Sequence, residues 1–211
     1  MLSYHNDPEV KRQALLEMRL HRKADALIKG RYWENGKGCA VGCLTHDSVG
    51  NHQYLADLLN IPVQLAHLED AIFENLDNGA SQMWPERFLS AIPVGADLAK
   101  VWPQFAVETL TDLLELPDVK EEPPVRVAIE NVIALHRRVV LGEVVTANEW
   151  SAAASPAGSA AWSARSAAGS AAWSAERSAW SAAGSAAGSA AWSAAWTKMA
   201  DRLVRLIKEA K

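Results

Sequence analysis

The sequence predicts an all-α fold, in which a multi-helix globular part is followed by tightly packed helices rich in Ala, Ser and Trp. Prolines recur where helices begin and glycines where they end, which is the usual polarity of these two residues. Apolar residues recur at spacings of three and four, and no segment shows the alternating pattern of a half-buried strand. These observations exclude a β-rich architecture.

The first helix is expected to begin at Pro8, with Asp7 as its cap, and to end at Lys29-Gly30. A short helix is expected near Gly38 and another in HQYLADLLN. The remaining helices of this part are expected to open at prolines, because proline fits the first turn. The predicted apolar stripe of the first helix is Leu16, Leu20, Ala24 and Leu27, and the later openings are Pro62, Pro85, Pro103 and Pro124.

The chain divides in composition into residues 1–147 and 148–211. In the second part, serines from Ser151 to Ser193 recur in steps of 4, 4, 4 and 3, which is helical spacing. Gly184 and Gly188 separate two sets of tryptophans, so a bend is expected there. We expect a helical hairpin or bent helix that packs on the first part or on a second copy, which favours a homo-oligomer. The two sets are Trp162, Trp173 and Trp180, and Trp192 and Trp196.

Composition and motifs exclude several classes of protein. No apolar run is long enough for a membrane span, and the start MLSYHNDPEVKRQ lacks the apolar core of a secretory signal. Two cysteines do not make a disulfide scaffold. We therefore expect a cytoplasmic protein. No Walker, dinucleotide-binding, H-E-x-x-H, G-x-S-x-G or kinase motif is present, so no catalytic residue is predicted.

A metal site is one interpretation of the stretch from Lys29 to His52. Cys39, Cys43 and His46 would share a helix face, and His52 could supply a fourth ligand, with His21 as an outside candidate. Thiolate and imidazole are preferred ligands of Zn²⁺, so zinc is the possible cofactor. The spacing C-x₃-C-x₂-H is not that of a standard zinc finger. Buried structural cysteines or a reactive thiol are the alternatives.

An anion site is the other interpretation of this stretch. Gly36-Lys37-Gly38 precedes a predicted helix start, where glycines and free N–H groups can approach a phosphate. Nearby cations would add charge, and aromatic rings could stack a base. A glycine turn with an aromatic plug in the core is the alternative. The predicted ligand-binding residues are Lys29, Arg31, Tyr32, Trp33, Lys37, Gly38 and His21.

Three segments carry a resemblance to known proteins. HRKADALIKGRYWENGKGCAVGCLTH, WPERFLSAIPVGADL and the ending KMADRLVRLIKEAK resemble a group of uncharacterised phage and prophage proteins. The tail is also loosely similar to Ala-rich proteins assigned an immunity role. The resemblance implies a phage accessory protein that acts against host defence in the cytoplasm of an infected bacterium. It carries over no catalytic residue.

Three functions remain open at this point. The first is a non-catalytic protein that binds and sequesters a small anionic immune signal of nucleotide type. The second is a metal-dependent Cys/His enzyme that acts on nucleotides or nucleic acid. The third is a helical interaction protein that blocks a host defence protein through its tryptophan face.

Overall fold

The computed structural model describes residues 1–121, 123–154 and 192–211, and it confirms the all-α prediction. Among these residues, the only sheet is a two-stranded antiparallel hairpin of β1 (Trp33–Glu34) and β2 (Lys37–Gly38). No helix in the described part is long and apolar enough to cross a membrane. The helices are α1 (Pro8–Lys23), α2 (Ala40–Thr45), α3 (His52–Leu59), α4 (Val63–Asn75), α5 (Asn78–Ala91), α6 (Val101–Leu113), α7 (Pro117–Lys120), α8 (Pro123–Val140), α9 (Ala147–Ala154) and a C-terminal helix (residues 192–209).

The chain divides into two compact units. Unit 1 comprises Met1–Trp102 and Ser193–Lys211, and unit 2 comprises Pro103–Trp192. The predicted boundary between residues 147 and 148 stays a prediction. The predicted bend at Gly184 and Gly188 falls on residues 155–191, which lie outside the described part. The same holds for Trp162, Trp173 and Trp180.

Side-chain caps set the starts of several helices in unit 1. The backbone N–H of Glu9 donates to Asp7 Oδ1 at 2.8 Å, which confirms the predicted cap of α1. Asn51 caps α3 by accepting from the N–H of Tyr54 at 3.0 Å. Pro62 immediately precedes α4, as predicted. These caps fix where the chain enters the helices that surround the candidate site.

Two predicted helix boundaries are wrong. Helix α1 ends at Lys23 because the chain then extends to pair with β2, where the N–H of Ile28 donates to the carbonyl of Gly38 at 2.8 Å. The predicted stripe is wrong as well, since Leu16 and Leu20 are exposed while Met18 is buried. Pro85 does not open a helix. It lies inside α5, which begins seven residues earlier after the cap Asp77.

The core of unit 1 forms where α1, α2, α3 and α5 pack around α4 and one another. The indole N–H of Trp84 donates to the carbonyl of Glu69 at 2.9 Å, which ties α5 to α4. Arg87 of α5 pairs with Asp201 of the C-terminal helix at 2.6 Å. Burial of large apolar side chains supplies most of the stability of such a core. The largest fully buried side chains of this unit include Trp84, Tyr4, Phe73, Phe88, Met18, Leu55 and Leu59.

In unit 2, a reciprocal capping arrangement begins α9. The N–H of Thr146 donates to Glu149 Oε2 at 2.8 Å, and the N–H of Glu149 donates back to Thr146 Oγ1 at 3.3 Å. Arg138 of α8 pairs with the same carboxylate at 2.6 Å. The N–H of Thr146, the Arg138 guanidinium and the Thr146 hydroxyl together hold the pKa of Glu149 at about 2. The turn between α8 and α9 is therefore fixed by charge as well as by packing.

Candidate functional site

The hairpin β1–β2 and helix α2 pack tightly around the backbone of Tyr32. A Cβ added to Gly42 would lie 1.4 Å from the Tyr32 carbonyl oxygen, and one added to Gly38 would lie 1.8 Å from it. Only glycine leaves room for this approach. The backbone of Gly38 therefore packs against the Tyr32 carbonyl, and the first residues of α2 are buried.

Of the predicted anion-binding cations, Lys37 lies on the hairpin and Lys29 and Arg31 lie in the segment before it, and the latter two contact acceptors of the protein. Lys29 Nζ donates to the carbonyl of Leu76, and Arg31 pairs with Glu34 three residues later. Lys37 is exposed on β2, opposite Glu34 in the hairpin register. The structure therefore places the positive charge of Lys29 and Arg31 against oxygen atoms of the chain itself.

A cluster of Glu17, His21 and His46, which we call the His–carboxylate cluster, lies on the surface between α1 and the end of α2. Glu17 and His21 are four residues apart on α1 and therefore share a face. His46 terminates α2 in the left-handed conformation, with φ of 52°. His21 Nε2 lies 3.2 Å from His46 Nε2, and Glu17 Oε1 lies 3.1 Å from the first and 3.6 Å from the second.

Trp33 holds the two imidazoles of this cluster in place. Its ring stacks on His46, with ring centroids 4.4 Å apart and planes inclined by 30°. His21 meets the same ring edge-on at 5.3 Å. Two of the residues predicted to bind a ligand, His21 and Trp33, thus meet one of the predicted metal ligands, His46.

A surface cavity of about 570 Å³ adjoins His46. The loop that forms it is shaped by Asp47, whose carboxylate accepts from the N–H groups of Val49 and Asn51 at 3.2 and 3.0 Å. Tyr54 contributes an aromatic side chain that is about half exposed. The cavity is lined by Thr45, His46, Asp47, Val49, Gly50, Asn51 and Tyr54.

The other predicted metal ligands lie elsewhere. Cys39 precedes the first residue of α2 and His46 follows the last, so the two occupy opposite ends of that helix. Cys43 is buried, and its thiol lies 3.5 Å from the carbonyl oxygen of Gly38. Burial raises the pKa of this thiol to about 12, which disfavours the thiolate. The structure does not bring Cys39, Cys43, His46 and His52 together.

Cys39 instead belongs to a second group with Asp70 and Glu74 of α4, which we call the thiol–carboxylate cluster. The thiol and one oxygen of each carboxylate lie within 4.8 Å of one another. His52 Nε2 lies 3.0 Å from Asp70 Oδ2, and the N–H of Gly30 donates to both Glu74 oxygens at 2.9 and 3.0 Å. Burial, together with the nearby Asp70 charge, raises the pKa of both Cys39 and Glu74.

The acidic members of both clusters were not predicted as ligands from the sequence. The spacing of Glu17 and His21 was a usable signal, because residues four apart on a helix share a face. Asp70 and Glu74 have the same spacing on α4, but a carboxylate pair at that spacing is also ordinary surface patterning. Their pairing with Cys39 depends on how α2 packs against α4, which no local pattern encodes.

Comparison with protein-family models, with curated proteins and with solved structures finds no match to this chain. The resemblance to phage and prophage proteins therefore stays a prediction.

Proposed function

We propose that the protein binds a divalent transition-metal ion through Glu17, His21 and His46, and through this ion a small anionic ligand of nucleotide type in the cavity beside His46. The observation that carries this proposal is the convergence of two imidazole nitrogens and a carboxylate oxygen at 3.1 to 3.6 Å. Ligand atoms bound to one Zn²⁺ at about 2.1 Å in tetrahedral geometry lie about 3.4 Å apart. The observed spacing fits a shared ion.

The ligand types support a transition metal over magnesium or calcium. Imidazole suits Zn²⁺, Fe²⁺, Ni²⁺ and Cu²⁺, whereas Mg²⁺ and Ca²⁺ take oxygen ligands. Two histidines and one carboxylate leave coordination positions open for water or for an exogenous ligand. Exposure of the His46 and Glu17 side chains, at 49% and 43%, gives such a ligand access.

The ion would supply the positive charge that an anionic ligand needs. Lys29 and Arg31 contact oxygen atoms of the protein, so their charge is partly offset. His46 is shared between the cluster and the cavity, so an ion bound at the cluster would lie next to the space for a ligand. The half-exposed ring of Tyr54 offers a face on which a base could stack.

In the phage context that the resemblance implies, this ligand is an immune signal that the protein sequesters. The second candidate is hydrolysis of the same ligand. The open coordination positions favour it, because a metal ion with three protein ligands can activate a bound water. Blocking of a host protein through the tryptophan face stays a prediction, together with the homo-oligomer. Of the predicted tryptophans, Trp162, Trp173 and Trp180 lie outside the described part, and Trp196 is buried.

Metal content tests the first half of the proposal. The purified chain is stripped with EDTA and titrated with Zn²⁺, Mn²⁺ and Fe²⁺, and bound metal is measured by mass spectrometry. His21→Gln and His46→Gln are each expected to weaken binding at this cluster by more than about 100-fold, because loss of an outer-shell partner alone costs 10–100-fold. His5→Asn, which changes an exposed histidine outside the cluster, serves as the matched control. Unchanged affinity in both cluster variants would overturn the proposal.

Ligand binding tests the second half. Metal-loaded and EDTA-treated proteins are each mixed with linear and cyclic mononucleotides and dinucleotides. Binding that needs the metal and returns the nucleotide intact after denaturation supports sequestration. Binding that needs the metal and yields a cleaved product supports hydrolysis. Equal binding with and without metal would contradict a metal-held anion.

A further inference from the structure

We propose that Cys39, Asp70 and Glu74 form a second metal site, which takes a thiophilic divalent cation such as Zn²⁺ or Cd²⁺. This site lies at the opposite end of α2 from the His–carboxylate cluster and does not depend on the proposed function. The three ligand atoms lie within 4.8 Å of one another, close enough to converge on one ion after small rotamer adjustments.

The surroundings of this cluster concentrate negative charge in the interior. Glu69, Asp70 and Glu74 all lie on α4, and Cys39 faces them from the start of α2. Cys39 is 1% exposed and Glu69 is 2% exposed. Carboxylates and a thiol brought together where water has limited access repel one another unless a cation or protons neutralise them.

The buried carboxylate of Glu69 is a second observation that favours a cation at the thiol–carboxylate cluster. Neither oxygen of its carboxylate has a hydrogen-bond partner among the described residues, and Asp70 Oδ1 is likewise buried without one. Burial, together with the charges of Asp70 and Glu74, raises the pKa of Glu69, and burial, together with the charges of Asp70 and Glu69, raises the pKa of the Cys39 thiol. A buried polar atom without a partner costs about 1–3 kcal/mol, and more when it is charged. A divalent cation at the cluster offsets that cost.

Outer contacts already orient the proposed ligands. His52 contacts Oδ2 of Asp70 and leaves Oδ1 for an ion, and the N–H of Gly30 fixes the Glu74 carboxylate. Hydrogen bonds of this kind commonly position the ligands of metal sites. His52, which the sequence predicted as a metal ligand, instead orients the proposed ligand Asp70.

The ligand set selects the class of ion. A thiolate prefers Zn²⁺ and Cd²⁺ to Mg²⁺ or Ca²⁺, and the carboxylates complete the charge balance. Binding converts the Cys39 thiol to a thiolate, so one proton leaves to solvent for each ion bound at this sulfur. Cys43 is excluded from the site, because its thiol lies against the carbonyl of Gly38.

Co²⁺ titration of the full chain tests this proposal. A thiolate ligand gives a charge-transfer absorption band in the near ultraviolet, whereas a site of histidine and carboxylate gives only visible ligand-field bands. We expect the charge-transfer band in the wild type and in His46→Gln, and its loss in Cys39→Ser and Asp70→Asn. Cys43→Ser is the matched control, since it removes the other buried thiol and keeps the cluster.

The outcomes separate this site from the His–carboxylate cluster. A wild type without the charge-transfer band at saturating Co²⁺ would overturn the present proposal and leave the other untouched. A band that survives in Cys39→Ser and disappears in Cys43→Ser would overturn it as well. If Cys39→Ser does not fold, Glu74→Gln tests the proposed metal site instead, because this half-buried side chain can be changed with less disruption. An unaltered band and unaltered Co²⁺ affinity in that variant would contradict the assignment.

Discussion

The two clusters lie at opposite ends of one six-residue helix, and they differ in how each meets water. The His–carboxylate cluster is open to solvent, with the His46 side chain 49% exposed. The thiol–carboxylate cluster is more closed, since Cys39 is 1% exposed and Asp70 and Glu74 are partly buried. An open cluster can accept an exogenous ligand, whereas a closed one is suited to structural metal binding. The same short helix therefore separates a candidate site for function from a candidate site for stability.

Gly42→Ala has the largest expected effect. It tests whether both clusters depend on the close packing of α2 against the Tyr32 carbonyl. A Cβ at position 42 would lie 1.4 Å from the Tyr32 carbonyl oxygen, so the hairpin and α2 must move apart. The hairpin positions Trp33 against His46, and the adjoining Gly30 N–H binds Glu74, so both clusters should lose metal together. We expect a destabilisation of at least about 4 kcal/mol in urea unfolding.

Gly79→Ala is the control for this variant. Its Cβ would meet nothing closer than Asp77 Oδ1 at 3.6 Å, and a change of less than about 1 kcal/mol is expected. If Gly42→Ala kept wild-type stability and both metal sites, the close packing of Tyr32 would not support the clusters.

Glu69→Leu sharpens the contrast between the closed and the open cluster. In EDTA-treated protein, this change replaces a buried carboxylate with an apolar side chain. The carboxylate has no hydrogen-bond partner among the described residues. We expect it to stabilise the protein by about 1–3 kcal/mol in urea unfolding. Glu86→Leu is the control, because Glu86 accepts from Arg19 and Arg22 at 2.7 and 3.0 Å and its loss should destabilise slightly. A destabilised Glu69→Leu would mean that this carboxylate is satisfied in the folded chain.

His136 extends the comparison to an imidazole buried in unit 2. Burial against groups that include Trp150 lowers its pKa from 6.5 to about 4. The unfolded chain takes up a proton as the pH falls through 6.5, whereas the folded chain resists until about pH 4. Stability is therefore lost across this window, by about 2 kcal/mol at pH 5.

His136→Phe should remove this loss. The measurement is the difference in unfolding free energy between pH 7 and pH 5 for the wild type, for this variant and for His5→Asn, which changes an exposed histidine. Equal differences in all three would show that burial of His136 does not govern the acid sensitivity.

Local patterns predicted the helical class and several caps, but not the grouping of the site residues. The cap at Asp7 and the start after Pro62 depend on neighbouring residues, so the sequence predicts them directly. The end of α1 could not be predicted in this way, since the chain leaves the helix after Lys23 to pair with β2.

The metal site expected from Cys39, Cys43 and His46, with His52 as a possible fourth ligand, assumed that the first three residues share one helix. Helix α2 covers only Ala40–Thr45, and Cys39 and His46 lie just outside it with non-helical backbones. The six helical residues between them rise by about 9 Å, so the two side chains lie at opposite ends of the helix. Their actual neighbours come from α1 and α4, which are distant in sequence.

Arg31→Ala has the smallest expected effect, and it decides how an anion would be held. Arg31 is 63% exposed and pairs with Glu34 within the hairpin. An exposed pair of this kind contributes less than about 1 kcal/mol to stability. If the metal ion holds the anion, the variant should keep nucleotide affinity within about fivefold, which corresponds to about 1 kcal/mol. Arg12→Ala is the matched control, because Arg12 has the same exposure and pairs with Glu9 three residues away. A loss of more than tenfold in Arg31→Ala alone would assign phosphate binding to the hairpin cation that the sequence predicted, and the open cluster would then lack the role proposed for it.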